Sequence, residues 1–148
     1  MTILYEGPGN IFESEMQTLV NPCNAVGAMG KGLALQFKER FPEYYKAYRK
    51  ACFDRVFRTE KCFVYDLDEE HKVYSMLTKW HWKYPSQLSW IDASVRRLAE
   101  HYEDYGITSL AIPAVGCGEG GLDWVNVQLI LHKYLGPSKL DVEIYSPF

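Results

Sequence analysis

"NPCNAVGAMGKGLALQFKERFP" runs from Asn21 to Pro42. It starts polar, crosses glycines at 27, 30 and 32, and becomes a helical pattern in which Leu33, Phe37 and Phe41 recur every four residues until Pro42 ends it. The apolar segment just upstream, Gln17–Asn21, reads as a strand. Strand, glycine-rich loop and helix in that order make an anion site: glycine lets backbone approach a ligand closely, and unpaired N–H groups at a helix start favour negative charge. The spacing is nevertheless not that of a phosphate loop, because G-x-x-x-x-G-K-[ST] is absent.

The same arrangement recurs later. Ile107–Ala114 reads as a buried strand, "VGCGEGGLDW" (Val115–Trp124) follows it, and a helix from about Asp123 to Leu135 is stopped by Gly136-Pro137. This second loop contains G-x-G but follows a late strand, so it is not the dinucleotide fingerprint either. Either loop alone reads equally well as a turn without a ligand. As a pair on one sheet edge they can clamp a pyrophosphate.

The remaining segments alternate in the same way. Thr2–Glu6 is a short strand, and Pro42 opens a second helix reaching Arg55. Lys61–Leu67 and Lys72–Thr78 are strands joined by the acidic turn "DEEH". Leu88, Ile91, Val95, Leu98 and Tyr102 mark one face of the longest helix, and Leu140–Ser146 is a closing strand. This alternation predicts an α/β fold, a three-layer α/β/α sandwich with a mixed central sheet, built as one domain over residues 1–148. Ligands then bind beyond the carboxyl ends of the strands, where both glycine-rich loops lie.

The chain's 148 residues, 47% apolar and 24% charged, are enough for a real core. A net charge of −3 excludes a uniformly basic nucleic-acid coat but leaves room for a local basic patch. Cys23, Cys52, Cys62 and Cys117 lack metal-ligand spacing and read as free thiols of a reducing compartment. No apolar run reaches bilayer length and no leader pattern opens the chain, so a cytoplasmic monomer without membrane contact is expected. No metal and no cofactor are implied.

Taken together, "LVNPCNAVGAMGKGLALQFKERFP", "IPAVGCGEGGLDW" and the intervening "LTKWHWKYPSQLSWIDASVRRL" resemble the macrodomain family, the ADP-ribose-binding fold, over almost the whole chain. The nearest subgroup is the DarG-type DNA ADP-ribosyl glycohydrolase macrodomain, with the terminal ADP-ribose glycohydrolases and ADP-ribose-1″-phosphate phosphatase-like proteins beside it. The resemblance implies ADP-ribose as ligand. It places Asn10 and Ile11 at the adenine, although the family's acid is here an asparagine. It places Asn21 and Asn24 at the V-N-x-x-N segment, with Asn24 facing the distal ribose and its amide bridging two hydroxyls. Met29, Gly30, Lys31 and Gly32 fall on the loop around that ribose and the phosphates, where Lys31 is either a phosphate contact or a helix-surface cation. Val115, Gly116, Cys117, Gly118, Glu119, Gly120, Gly121 and Leu122 fall on the loop that wraps the pyrophosphate.

Lys79 matches the catalytic lysine of the glycohydrolase subgroup. An amine near an anomeric carbon can attack it, or can stabilise the ring-opened sugar, and attack requires the neutral amine. Trp80, His81, Trp82 and Lys83 are the neighbours expected to favour that form. Cys117 reads either as a nucleophile, with His71, His81, His101 or His132 as base, or as a small packing thiol. Gly120 stands where the terminal glycohydrolases carry an acid, while G-G-L-D-W follows the DarG form. The implied activity is removal of ADP-ribose from a DNA base, thymidine above all, by Lys79. Alternatives are an ADP-ribose-1″-phosphate phosphatase and a non-enzymatic ADP-ribose reader. Arg40, Lys46, Arg49 and Lys50, and the interleaved Lys79, Trp80, Trp82, Lys83 and Tyr84, have the composition of a single-stranded DNA contact, or of solvated helix faces and core aromatics.

Overall fold

Lys72–Lys79 is a strand with all six interior residues buried. Val73, Ser75 and Leu77 point to one face, and Tyr74 and Met76 to the other. A strand that is apolar on both faces needs helices on both sides, and the computed structural model, which describes residues 1–148, supplies them. The elements are β1 (Thr2–Gly7), a single 3₁₀ turn (Ile11–Glu13), β2 (Thr18–Asn24), α1 (Gly32–Arg40), α2 (Pro42–Phe53), α3 (Val56–Glu60), β3 (Cys62–Asp66), β4 (Lys72–Lys79), α4 (Leu88–His101), β5 (Ser109–Pro113), α5 (Trp124–Leu135) and β6 (Asp141–Tyr145). The six strands are ordered β1-β6-β5-β2-β4-β3, and only the β3–β4 hairpin is antiparallel.

The core is divided by the sheet. One half holds Ile91, Val95 and Leu98 of α4 and Val127, Leu131 and Leu135 of α5 against Tyr74, Met76, Leu110 and Ile112. The other holds Phe37 of α1, Tyr44 and Tyr48 of α2 and Phe57 of α3 against Val73 and Leu77. The mixed sheet in a three-layer arrangement is therefore as the alternation of segments predicts. No helix is long and apolar enough to cross a membrane.

Three local differences matter for the site. β2 does not stop at Asn21 but continues through Pro22 and Cys23 to Asn24, paired with β4. Its pairing with β5 is confined to Thr18↔Leu110 and Leu19↔Ala111, so the two strands part beyond Leu19 and leave a gap. Pro22 and Pro113 line that gap, and neither has an N–H to leave unpaired there. α1 begins at Gly32 rather than Gly30, which keeps Gly30 and Lys31 as open loop. α3, bracketed by Arg55 and Lys61 in left-handed conformation, was not legible as a separate element.

Candidate functional site

The gap between β2 and β5 widens into a cavity of about 720 Å³ at the carboxyl ends of β2, β4 and β5. β2 has neighbours reached by connections on opposite faces of the sheet, so the cavity occupies the topological switch point where α/β proteins place ligands. Residues 28–34 form one wall, residues of the loop 114–120 a second, and Thr78 and Lys79 line the cavity at the end of β4, on the far side of β2 from β5.

Each wall presents unpaired backbone donors. Gly32, Leu33 and Ala34 open α1, where no carbonyl a turn earlier exists to accept their N–H groups, and those of Gly30 and Lys31 have no protein acceptor. On the facing loop, the Cys117 N–H donates to Ala114 O (3.1 Å), that of Gly121 to Gly118 O (3.0 Å) and that of Leu122 to Gly116 O (2.9 Å). These bonds hold a tight turn and leave the N–H groups of Gly116, Gly118, Glu119 and Gly120 without protein acceptors, all in residues that line the cavity. Such a nest suits an anion. It forms from the turn itself, since Leu122 and Asp123 separate it from α5, and Asp123 makes no side-chain cap there.

Asn24 is wired into the first wall. Its Oδ1 accepts from the N–H groups of Val26 (3.1 Å) and Ala28 (3.3 Å), its Nδ2 donates to Ala28 O (2.8 Å), and the Tyr48 hydroxyl donates to its carbonyl (2.6 Å). An amide nitrogen has two hydrogens, so one N–H remains for a ligand. The expectation that the amide bridges two sugar hydroxyls is corrected accordingly.

Asn21 requires a larger correction. It is fully buried, donates through Nδ2 to Tyr44 Oη (3.0 Å) on the α2 side of the sheet, and lies outside the cavity wall. The strand period explains this: with β2 extended to Asn24, Asn21 shares a face with Leu19 and Cys23, both packed under α1–α3. Asn10 is also outside the wall, and its Oδ1 accepts from the Phe12 N–H (3.0 Å) to cap the 3₁₀ turn. Val115 and Leu122 pack into the core on the α4–α5 side, Ile11 is buried in the 3₁₀ turn, Gly121 serves the turn at 118–121, and none of the four lines the cavity. Met29, Gly30, Lys31, Gly32, Gly116, Cys117, Gly118, Glu119 and Gly120 line the cavity together with Asn24 and Lys79.

Lys79 ends β4 in register with Asn24, and the Ala25 N–H donates to Trp80 O (3.1 Å), which continues the pairing past the lysine. Its ammonium takes part in no ion pair. Of Trp80, His81, Trp82 and Lys83 only Trp82 lines the cavity, and Trp80 turns away, under the Arg58 guanidinium (3.7 Å) and against Trp90 (ring centroids 6.3 Å).

Cys117 is half-buried, and burial first, then the Asp123 carboxylate, push its thiol up to about 11. None of the four histidines bonds to it; its Sγ contact is Val115 O at 3.7 Å. A neutral thiol without a base is a packing group. Cys117→Ala is accordingly expected to keep any turnover within about threefold. Iodoacetamide labelling of the wild type should quicken about tenfold per pH unit between pH 8 and 10, as the thiolate forms; a rate flat across that range would contradict this.

Ser86 was missed by the sequence reading. It lines the cavity at 5% exposure, its N–H donates to Gly120 O (3.0 Å), and its Oγ has no protein partner. The position just ahead of a long helix was the available signal. Gly30 and Gly118 line the cavity too, and a Cβ at either meets no atom within 4 Å. Gly30→Ala should leave thermal stability unchanged within about 2 °C while weakening ligand binding roughly tenfold, by calorimetry, because the methyl enters the cavity and not the core.

The Macro domain family model matches residues 20–131. The DNA ADP-ribosyl glycohydrolase of Mycobacterium tuberculosis is 41% identical over 145 residues, a match that covers 95% of this chain and 41% of that protein. The chain thus spans about two fifths of the length of the curated relatives that it matches at 36–41% identity. Among solved structures, the macrodomain of M. tuberculosis DarG superposes with a TM-score of 0.92 at 39% identity, covering 100% of both chains. Thermosipho africanus DarTG in complex with ADP-ribose superposes at 0.88 with 36% identity, over 95% of this chain and 40% of that one.

Proposed function

Because the chain belongs to the macrodomain family, we propose that it binds ADP-ribose in the cavity between β2 and β5 and acts as a glycohydrolase that releases ADP-ribose from a modified DNA base, thymidine foremost. One observation carries the catalytic half of this reading. Lys79, a side chain in no ion pair, lines the same cavity as two loops with free N–H groups. A pyrophosphate held by the nest at 116–120 and by the start of α1 sets the distal ribose beside that side chain, with the remaining Asn24 N–H on a sugar hydroxyl. Names of relatives support the DNA substrate: the M. tuberculosis and Thermus aquaticus proteins are both DNA ADP-ribosyl glycohydrolases.

In this mechanism the neutral Lys79 amine attacks the anomeric carbon, the bond from that carbon to the base breaks, and the base leaves with a proton from solvent. Water then displaces the lysine and frees ADP-ribose. Backbone donors aimed at the phosphates hold the sugar in place while charge develops on it. Gly120 is the position at which an acid would favour the terminal glycohydrolases. A side chain there has no room, because its Cβ would stand 2.5 Å from Gly116 O and against Ser86 Oγ.

The test offers the protein an ADP-ribosylated oligonucleotide, ADP-ribose-1″-phosphate and free ADP-ribose in parallel. Release of ADP-ribose from the oligonucleotide alone is the expected result. Phosphate release from the second compound makes the protein a phosphatase, tight binding without turnover makes it a reader, and no binding of ADP-ribose overturns the ligand assignment.

A further inference from the structure

The loop between β4 and α4 carries more aromatic surface than folding requires. Trp80 is absorbed by the packing against Arg58 and Trp90, but Trp82 and Tyr84 are 53% and 59% exposed. Between them His81 stands with its ring centroid 5.3 Å from Trp82 and 5.6 Å from Tyr84. Two bonds fix this group as a tight turn: the Lys83 N–H donates to His81 Nδ1 (3.0 Å) and the Tyr84 N–H to His81 O (3.1 Å). The turn backbone and the His81 ring are thus held in place before any ligand arrives, with the Trp82 and Tyr84 rings beside that ring. Trp82 also lines the cavity that contains Lys79, so the ring cluster continues the cavity wall outward past the reacting end. Lys83 Nζ lies 5.8 Å from the Trp82 ring centroid, a cation at the edge of the aromatic surface.

We propose that His81, Trp82 and Tyr84 form a second subsite, a stacking platform for one unpaired nucleobase adjacent in the strand to the modified base. The inference rests on the glycohydrolase reading above and adds a specificity determinant to it. A base whose ADP-ribose is seated in the cavity must have left any duplex. Its neighbour in the strand emerges at the mouth beside Lys79, where Trp82 begins the platform. Exposed rings next to a cation suit a π-face followed by a phosphate, and every base has such a face. Stacking there accounts for rings that would otherwise be left in water. It also predicts that an oligonucleotide is a better substrate than a single modified nucleoside.

The experiment compares kcat/KM for an ADP-ribosylated oligonucleotide and for ADP-ribosylated mononucleoside. Wild type is expected to prefer the oligonucleotide roughly tenfold, the effect of one stacked base. Tyr84→Ala should lose most of that preference by slowing the oligonucleotide alone, and Tyr84→Phe should keep it, because the ring and not the hydroxyl is used. An oligonucleotide with abasic sites flanking the modified base should lose the preference on wild type and be indifferent to Tyr84→Ala. A wild-type protein that shows no preference, or a Tyr84→Ala variant that slows both substrates equally, overturns the platform. Cleavage of neither substrate by wild type overturns the glycohydrolase reading instead, and the platform is then read from the ratio of dissociation constants for the same two ligands.

Discussion

Lys79→Ala should lower kcat for release of ADP-ribose from an ADP-ribosylated oligonucleotide by about 10³-fold or more, equivalent to about 4 kcal/mol of transition-state stabilisation. The variant should still bind ADP-ribose within about threefold of wild type. These two expectations follow from one geometry. The donors available to the pyrophosphate belong to the backbone of residues 30–34 and 116–120, which the substitution leaves in place. The lysine side chain lines the same cavity and takes part in no ion pair, so its removal strands no buried carboxylate. Stopped assays with wild type and variant, paired with calorimetry on ADP-ribose, separate the chemical step from binding. Lys79→Arg supplies the control for charge, since a guanidinium preserves the cation but does not lose its proton to become a nucleophile. If Lys79→Arg cleaves as well as wild type, the lysine acts as a fixed positive charge, and attack by its amine is ruled out.

The second large effect belongs to Gly120. A methyl at this position would stand 2.5 Å from Gly116 O and against Ser86 Oγ, and the first of these is backbone that cannot step aside. Overpacking of this kind costs about 1–3 kcal/mol, and the loop can relieve it only by opening. Opening breaks the Ser86 N–H to Gly120 O bond and disperses the nest whose free N–H groups face the cavity. Gly120→Ala is therefore expected to weaken ADP-ribose binding about 100-fold, with a lowered Tm. Gly118→Ala, where the methyl meets no protein atom within 4 Å, should leave Tm unchanged. The contrast between two glycines two residues apart tests the geometry of the turn and not glycine content. Equal behaviour of the two variants in thermal melts would contradict it.

Much of the site was legible because its chemistry is written in local order. A glycine-rich loop between a strand and a helix announces free N–H groups wherever the chain goes next, and both such loops do line one cavity. Lys79 was singled out by the family resemblance of its T-K-x-H-W context, because a lysine at the end of an apolar strand is by itself an ordinary solvated cation. The errors arose where a side chain's direction depends on how far a strand extends. Asn21 and Asn24 look equivalent in "VNPCN", yet continuation of β2 through Pro22 buries Asn21 under Tyr44, and Asn24 reaches the cavity wall. Asn10 reads either as an adenine contact or as a turn residue, and its Oδ1 caps a 3₁₀ turn outside the cavity wall. Trp80 and Trp82 are likewise indistinguishable by composition, but Arg58 of α3, an element invisible in the sequence pattern, claims one and leaves the other exposed.

The sequence by itself determined the α/β alternation and the two glycine-rich turns with free N–H groups, because period, glycine placement and strand ends act over a few residues. Only the tertiary structure decided that β2 and β5 part beyond Leu19 to open the cavity. It alone decided which asparagine lines the cavity and which aromatic rings face water. Those outcomes depend on pairing between segments some ninety residues apart and on which neighbour packs against each face, and no local pattern carries that information.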